Sequence, residues 1–334
     1  MAKFIIPTNA SIHAAKSFIS KSHFFEYPPK SASLEFDPRW MYTEPFAVSM
    51  LAAWAAWYKA ESVEIKIENL SAKADYLWRM GVFDYLPIEY RPSRSEYEEA
   101  GRFTTLKQII TNEDARNAVA DISTLPHLAD SPEDLAAVRY CVSEMIRNVL
   151  EHSGSLQGAF VCAQNYPKAN PPRVSIGIAD CGIGISAHLS RKYNQARGND
   201  IVALQLALEP GITGSMPTGM YGSSDNAGAG LFYTRSIAKG TGGYFMIYSG
   251  SACYRLKRAT RAMIEKQKME RQIKLFPDSF KEPHDLWPLE NRWQGTVVAL
   301  EIRMDQILDF GEYVTWIRKQ IPKQDRTSRR PRFT

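Results

Sequence analysis

The four cysteines, Cys141, Cys162, Cys181 and Cys253, include no CxxC pair. That spacing argues against zinc ribbons and thioredoxin-like motifs and fits reduced thiols in a cytosolic protein. The six histidines form no HExxH or comparable cluster, so a dedicated zinc site is not expected. Long hydrophobic runs are also missing. The longest, Pro45 to Tyr58, has fourteen residues, too few to span a bilayer and suited to a buried helix. The opening MAKFIIPTNAS lacks the long apolar core of a signal peptide. The expectation is a cytoplasmic protein without a membrane partner. There is no internal repeat, no GxxxxGK[ST] phosphate loop, and no GxGxxG following a strand, so Walker and Rossmann nucleotide sites are disfavoured.

What is present is an ordinary globular composition over 334 residues, 44% apolar and 23% charged. This length suits two domains or one large one. The net charge of +5 is unevenly distributed. Residues 255–274 hold eight Lys or Arg against two Glu, and residues 318–334 hold seven against one Asp. Each segment carries +6, which leaves about −7 for the remainder. Such segments are solvated helix faces and tails, or docking surfaces for an acidic partner or nucleic acid.

The N-terminal hundred residues read as alternating strands and helices. Phe4-Ile5-Ile6 and SASLEFDP (31–38) suit strands, and EPFAVSMLAAWAAWYKA (44–60) suits a helix apolar on most faces. SVEIKIEN (62–69) alternates like a half-buried strand, and SAKADYLWRMGVFDYL (71–86) suits an amphipathic helix interrupted near Gly81. The turn-rich stretch 90–101 marks a boundary, giving domains 1–98 and 99–310 and a basic tail, 311–334. In the second domain, residues 131–154 carry the signals of a long helix. Ser131 can cap, Pro132 suits the first helical position, Glu133 and Asp134 suit the dipole, and Gly154 ends it. Strands are expected at 158–166, 173–180, 244–250 and 295–302, and a helix at 230–243. A polar, glycine-rich segment spans 186–227 with a helical piece near 200–208, and a basic insertion spans 255–294.

Three groups of residues carry chemistry. Glu144, Asn148 and His152 are spaced four apart and share one helical stripe. Beside an apolar face such a stripe suits a hydrated metal ion, since a carboxamide oxygen is a hard ligand for magnesium. A solvent-facing polar stripe would have the same spacing. Asp180, in IADCGIGI, falls at a strand end and is followed by Gly182 and Gly184. A carboxylate there can accept from the exocyclic amine of adenine, and glycines let a flat ring approach the backbone. A plain turn is the alternative. Finally, Gly228 and Gly230 precede a helix whose first backbone amides can form an anion site.

Taken in order, these elements resemble the GHKL, or Bergerat-fold, ATP-binding domain shared by gyrase, MutL, histidine kinases and heat-shock chaperones. Glu144 and Asn148 match its ExxxN motif, DCGIG matches DxGxG, GAGL matches GxGL, and Gly295-Thr296 matches the GT of the last strand. The resemblance covers about residues 100–305. It implies an α/β sandwich, a mixed sheet with helices on one face. ATP and magnesium are the implied cofactors: Asp180 at the adenine with Thr296 through water, and Asn148 on the metal. His152, Gly182, Gly184, Gly228, Gly230 and Leu231 would line the site, and residues 186–227 would form a lid. The equal steps of Glu, Asn and His look most like anti-sigma-factor serine kinases, in which the position of Glu144 supplies the base. In the ATPase branch the same carboxylate activates water.

The N-terminal domain resembles the STAS domain of anti-anti-sigma factors, which implies a partner-binding α/β module. It departs from that pattern where a phosphorylatable serine should precede the helix. Glu44, Pro45 and Phe46 stand there, with Thr43 the nearest hydroxyl. His127 lies in a turn-like STLPHLADS rather than on a helical hairpin, which argues against a histidine kinase. The resulting expectation is a regulator that acts on a protein partner as a protein kinase or ATP-driven switch, with homodimerisation suggested by family habit. The alternatives are a MutL-like ATPase on nucleic acid and a non-hydrolysing sensor or scaffold.

Overall fold

A computed structural model describes residues 1–70, 74–92, 102–125, 132–212, 229–257, 282–303 and residue 315. The chain runs β1 (Ala2–Ile6), β2 (Asn9–Ala10), α1 (Ala15–Lys21), β3 (Ala32–Phe36), β4 (Tyr42–Thr43), α2 (Pro45–Ala60), β5 (Ile65–Glu68) and α3 (Asp75–Arg79). It continues with β6 (Phe103–Ile109), α4 (Asn112–Ser123), α5 (Pro132–His152), β7 (Ala159–Tyr166) and β8 (Arg173–Asp180). The last described elements are α6 (Gly184–Leu189), α7 (Asp200–Ala207), α8 (Gly230–Gly240), β9 (Tyr244–Leu256) and β10 (His284–Arg303). The protein is of the α/β class. Among the described residues no helix is long and apolar enough to cross a membrane.

Three sheets form. The first is parallel, in the order β1-β3-β5, and a two-stranded parallel pair joins β2 to β4. The largest has the order β6-β7-β8-β10-β9 and is antiparallel at every described pairing, where a mixed sheet was expected. Antiparallel neighbours need no helical crossover, so α5 and α8 are free to lie side by side on the sheet rather than wind around it.

Helices cover both faces of this sheet, and the helix on the second face, α2, comes from the N-terminal segment. On β8, Val174, Ile176 and Ile178 join a core with α4, α5 and α8, while Ala179, like Cys181 just after the strand, joins a core with α2. Period-2 alternation thus feeds two helical layers. Helix α2 covers the second face. It starts at Glu44 as N-cap with Pro45 at the first turn. Every residue from Pro45 to Tyr58 is buried, which explains why its sequence has no polar side. One side meets the small sheet, with Trp54 and Phe4 rings 5.4 Å apart. The other meets β8 so closely that a Cβ on Gly177 would overlap the backbone of Phe46. Ser49 Oγ donates to the Gly177 carbonyl at 2.9 Å. The N-terminal segment and the larger sheet therefore share one continuous core.

Several boundaries shift. The expected helix 71–86 is α3 and a 3-10 turn at Val82–Tyr85, broken by left-handed Gly81. Strand β9 runs on to Leu256 and β10 starts at His284, because Ala252–Leu256 pairs with His284–Pro288. The ends of the expected basic insertion 255–294 are thus a β ribbon, and residues 258–281 lie outside the described residues. Much of the segment 186–227 is helical, in α6, a 3-10 turn at Asn194–Ala196, and α7, while 213–227 is outside the described residues. So are the domain boundary near residue 98, His127 and, apart from residue 315, the tail 311–334.

Candidate functional site

Asp180 ends β8 with its side chain on the same face as Ile176 and Ile178, the face covered by α5 and α8. It is 1% exposed. Its Oδ1 accepts from the Gly182 amide at 2.8 Å, and its Oδ2 is buried without a hydrogen-bond partner. Burial pushes the carboxyl up to about 7, and the backbone amides of Gly182 and Thr296 draw it back down. A buried acceptor with no donor is costly and rare in a folded protein.

Thr296 lies directly across from Asp180 on β10, and Ser249 lies across from Thr296 on β9. The three form one polar row across three strands, with Thr296 Oγ1 3.4 Å from Ser249 Oγ. Ser249 Oγ accepts from the Ile185 amide at 3.0 Å and donates to the Gly295 carbonyl at 2.7 Å. Ser249 was missed in the sequence. The signal was there: Phe245 and Ile247 point into the core, so the next residue in step is Ser249.

The glycines after Asp180 have a visible structural duty. A Cβ on Gly182 would overlap the Ser153 carbonyl oxygen at the end of α5, and the Ile183 amide donates to that same oxygen at 2.8 Å. Gly184 has φ +77°, which favours glycine, and starts α6 beneath Ser249 and Gly295. The contacts these glycines admit are backbone contacts that lash the loop to α5 and β10.

Glu144 is buried on α5, ion-paired with Arg147, and pressed against the first residue of α8: a Cβ on Gly230 would overlap its carboxylate. Burial raises its pKa and Arg147 opposes the shift. The N-terminal end of a helix is a favourable place for this carboxylate. Asn148 is half-buried one turn on, and Leu231 is half-buried against the core beside it. His152 stacks on His188 with ring centroids 4.6 Å apart. Burial, helped by His152 and Arg191, holds His188 down at about 4. Gly228 lies outside the described residues.

The sequence-named residues therefore fall into three groups: Asp180 with Gly182, Gly184 and Thr296; Glu144 with Gly230; and His152 with His188. They share the α5–α8 side of the sheet. A cavity of about 620 Å³ adjoins this region, walled by Gly182 and Gly184 but not by Glu144, Asn148 or Asp180. Among the described residues no group of three or more His, Cys, Asp or Glu could hold a metal ion.

At the start of α2, Thr43 is buried and its Oγ1 accepts from the Trp40 indole N–H at 2.7 Å. Glu44 is buried beside it, so this helix start presents no accessible hydroxyl. The chain matches no protein-family model and no curated protein.

Proposed function

We propose that the chain is a regulatory protein that binds Mg–ATP in a Bergerat-type domain and acts on a protein partner, as a kinase or as an ATP-driven switch. The observation that carries this reading is the unpartnered Oδ2 of Asp180, a buried acceptor at a strand end beside Thr296 and Ser249. An adenine amino group would supply the missing donor. The hydroxyls of Thr296 and Ser249 add polar contacts in the same row. The half-buried carboxamide of Asn148 is a suitable oxygen donor for magnesium, which would offset phosphate charge when bound. Glu144, one turn earlier on α5, is the base in this reading. Its pairing with Arg147 must loosen for it to accept a proton. The N-terminal region, in this reading a STAS-like module, serves as a docking unit rather than a phosphoacceptor, since Thr43 is buried.

Calorimetric titration with ATP and GTP tests the nucleotide assignment. ATP binding with GTP at least about tenfold weaker is expected, because guanine presents a carbonyl where adenine presents the donor. Equal affinity for both, or no binding to either, would overturn it. ATP labelled at the terminal phosphate then separates the two activities: label on the partner means kinase, and label released as phosphate means ATPase.

A further inference from the structure

The cavity of about 620 Å³ shares Gly182, Gly184 and Ser249 with the candidate site but reaches beyond it, to residues that the nucleotide reading does not use. Its size falls in the range of small-molecule pockets. Its walls come from both halves of the molecule: Trp57 and Tyr27 from the N-terminal segment, and the ribbon of β10 with the loop after Asp180 from the other. The indole and phenol rings stand edge to face, 5.9 Å apart, and Tyr27 is 62% exposed. Leu156 and Ile183, both exposed, also border it. Exposed apolar residues gathered at one cavity, rather than scattered, mark a binding surface.

The polar groups decide what it accepts. Asp200 Oδ2 accepts from the Ser251 amide and hydroxyl, at 2.8 and 2.9 Å, two neutral donors that hold this carboxylate in the wall. Gln294 is occupied by the Cys181 carbonyl, and Ser249 by the Gly295 carbonyl. Arg292 and Glu61 are the other charged groups of the wall. Among the described residues neither forms an ion pair or a side-chain hydrogen bond, with each other or with anything else. The Ser155 hydroxyl, also in the wall, is buried without a partner. A purely anionic ligand would meet the carboxylates of Glu61 and Asp200, and a purely cationic one would meet Arg292. A ligand bearing both charges satisfies both. We propose that this cavity binds a small aromatic zwitterion of the α-amino-acid class, with its carboxylate on Arg292, its ammonium on Glu61 and its ring against Trp57 and Tyr27.

The test is calorimetry on the full chain without nucleotide, so its outcome is independent of the ATP assignment. The probes are L-tryptophan, tryptamine, which lacks the carboxylate, and indole-3-propionate, which lacks the ammonium. L-Tryptophan should bind at least about tenfold more tightly than either, the usual effect of losing one charged contact. Arg292→Ala should weaken L-tryptophan by a similar factor and leave tryptamine unchanged. Glu61→Gln should weaken L-tryptophan and leave indole-3-propionate unchanged. Both side chains are exposed, so neither change threatens the fold. No heat from L-tryptophan at millimolar concentration would overturn the proposal, as would binding that neither substitution alters.

Discussion

Glu44 and Asp180 are both buried and both pushed up to about 7 by burial, Glu44 at the start of α2, which packs on the larger sheet, and Asp180 at the end of β8, a strand of that sheet. Glu44 belongs to the α2 side. Its Oε2 accepts from the Ile12 amide at 2.7 Å, its Oε1 from the Tyr42 hydroxyl at 3.4 Å, and Arg173 pulls its pKa down. Asp180 belongs to the α5–α8 side, where Oδ1 accepts from Gly182, the Thr296 amide also favours the charged form, and Oδ2 makes no hydrogen bond. The first carboxylate is explained by the fold it caps. The second is not, and an unexplained buried acceptor is where a ligand is expected. The two sides of one sheet thus have different tasks: one locks the N-terminal segment in place, and the other holds the polar row.

If that division is right, the sides should fail differently. The largest effect is expected from Glu144→Ala, which should slow turnover roughly 10²–10⁴-fold, the usual loss for a general base, while ATP binding changes little. Asn148→Ala should lose magnesium-dependent affinity as well as turnover. Wild-type turnover by the Glu144 variant, in an assay with a partner that supports activity, would remove the catalytic role from α5.

On the other side, Trp54→Ala should cost about 3–5 kcal/mol by denaturant unfolding, because Trp54 is fully buried between α2 and the small sheet. Its indole N–H also donates to the Phe24 carbonyl at 2.7 Å. Glu44→Ala should cost about 1–3 kcal/mol by leaving the Ile12 amide unpaired, with no change in nucleotide affinity. Loss of ATP binding by a folded Glu44 variant would show that the two sides are not separate.

The pH dependence sharpens the same contrast. For Asp180 the folded value, about 7, is raised above the ordinary 3.8. The folded protein keeps a proton that the unfolded chain has released, so this group's contribution to stability is best below about pH 4. It declines as the pH rises to about 7 and is level above that. Asp180→Asn removes the penalty of a buried charge but leaves an amide unpaired. At pH 8 the variant should therefore be more stable than the wild type by about 1–3 kcal/mol, an advantage that fades towards pH 4. Thermal unfolding at both pH values measures it.

Much of this arrangement was legible in the sequence, for reasons that can be named. Helix α5 has Pro132 at its start and an apolar face next to a polar stripe, so its extent could be read. Strand β8 ends at Asp180 as its alternation indicated. The all-apolar α2 announced its burial, but local pattern cannot say that the second surface covering it is the far side of another sheet. Strand β6 and helix α4 were not assigned: FTTLKQI interleaves polar residues loosely, and the α4 helix is signalled mainly by the Thr111–Asp114 capping box. Ser249 went unseen because a serine at a strand end acquires meaning only from its neighbours across the sheet, Thr296 and then Asp180.

The central claim is that Asp180 sits buried and half-unpaired because a nucleotide completes it. The most direct measurement pairs two readings on wild type and Asp180→Asn at pH 8: the unfolding midpoint without ligand, and calorimetric titration with ATP. The account predicts a variant that unfolds at a higher temperature and no longer binds ATP. A variant that binds ATP with wild-type affinity would contradict it, whatever its stability.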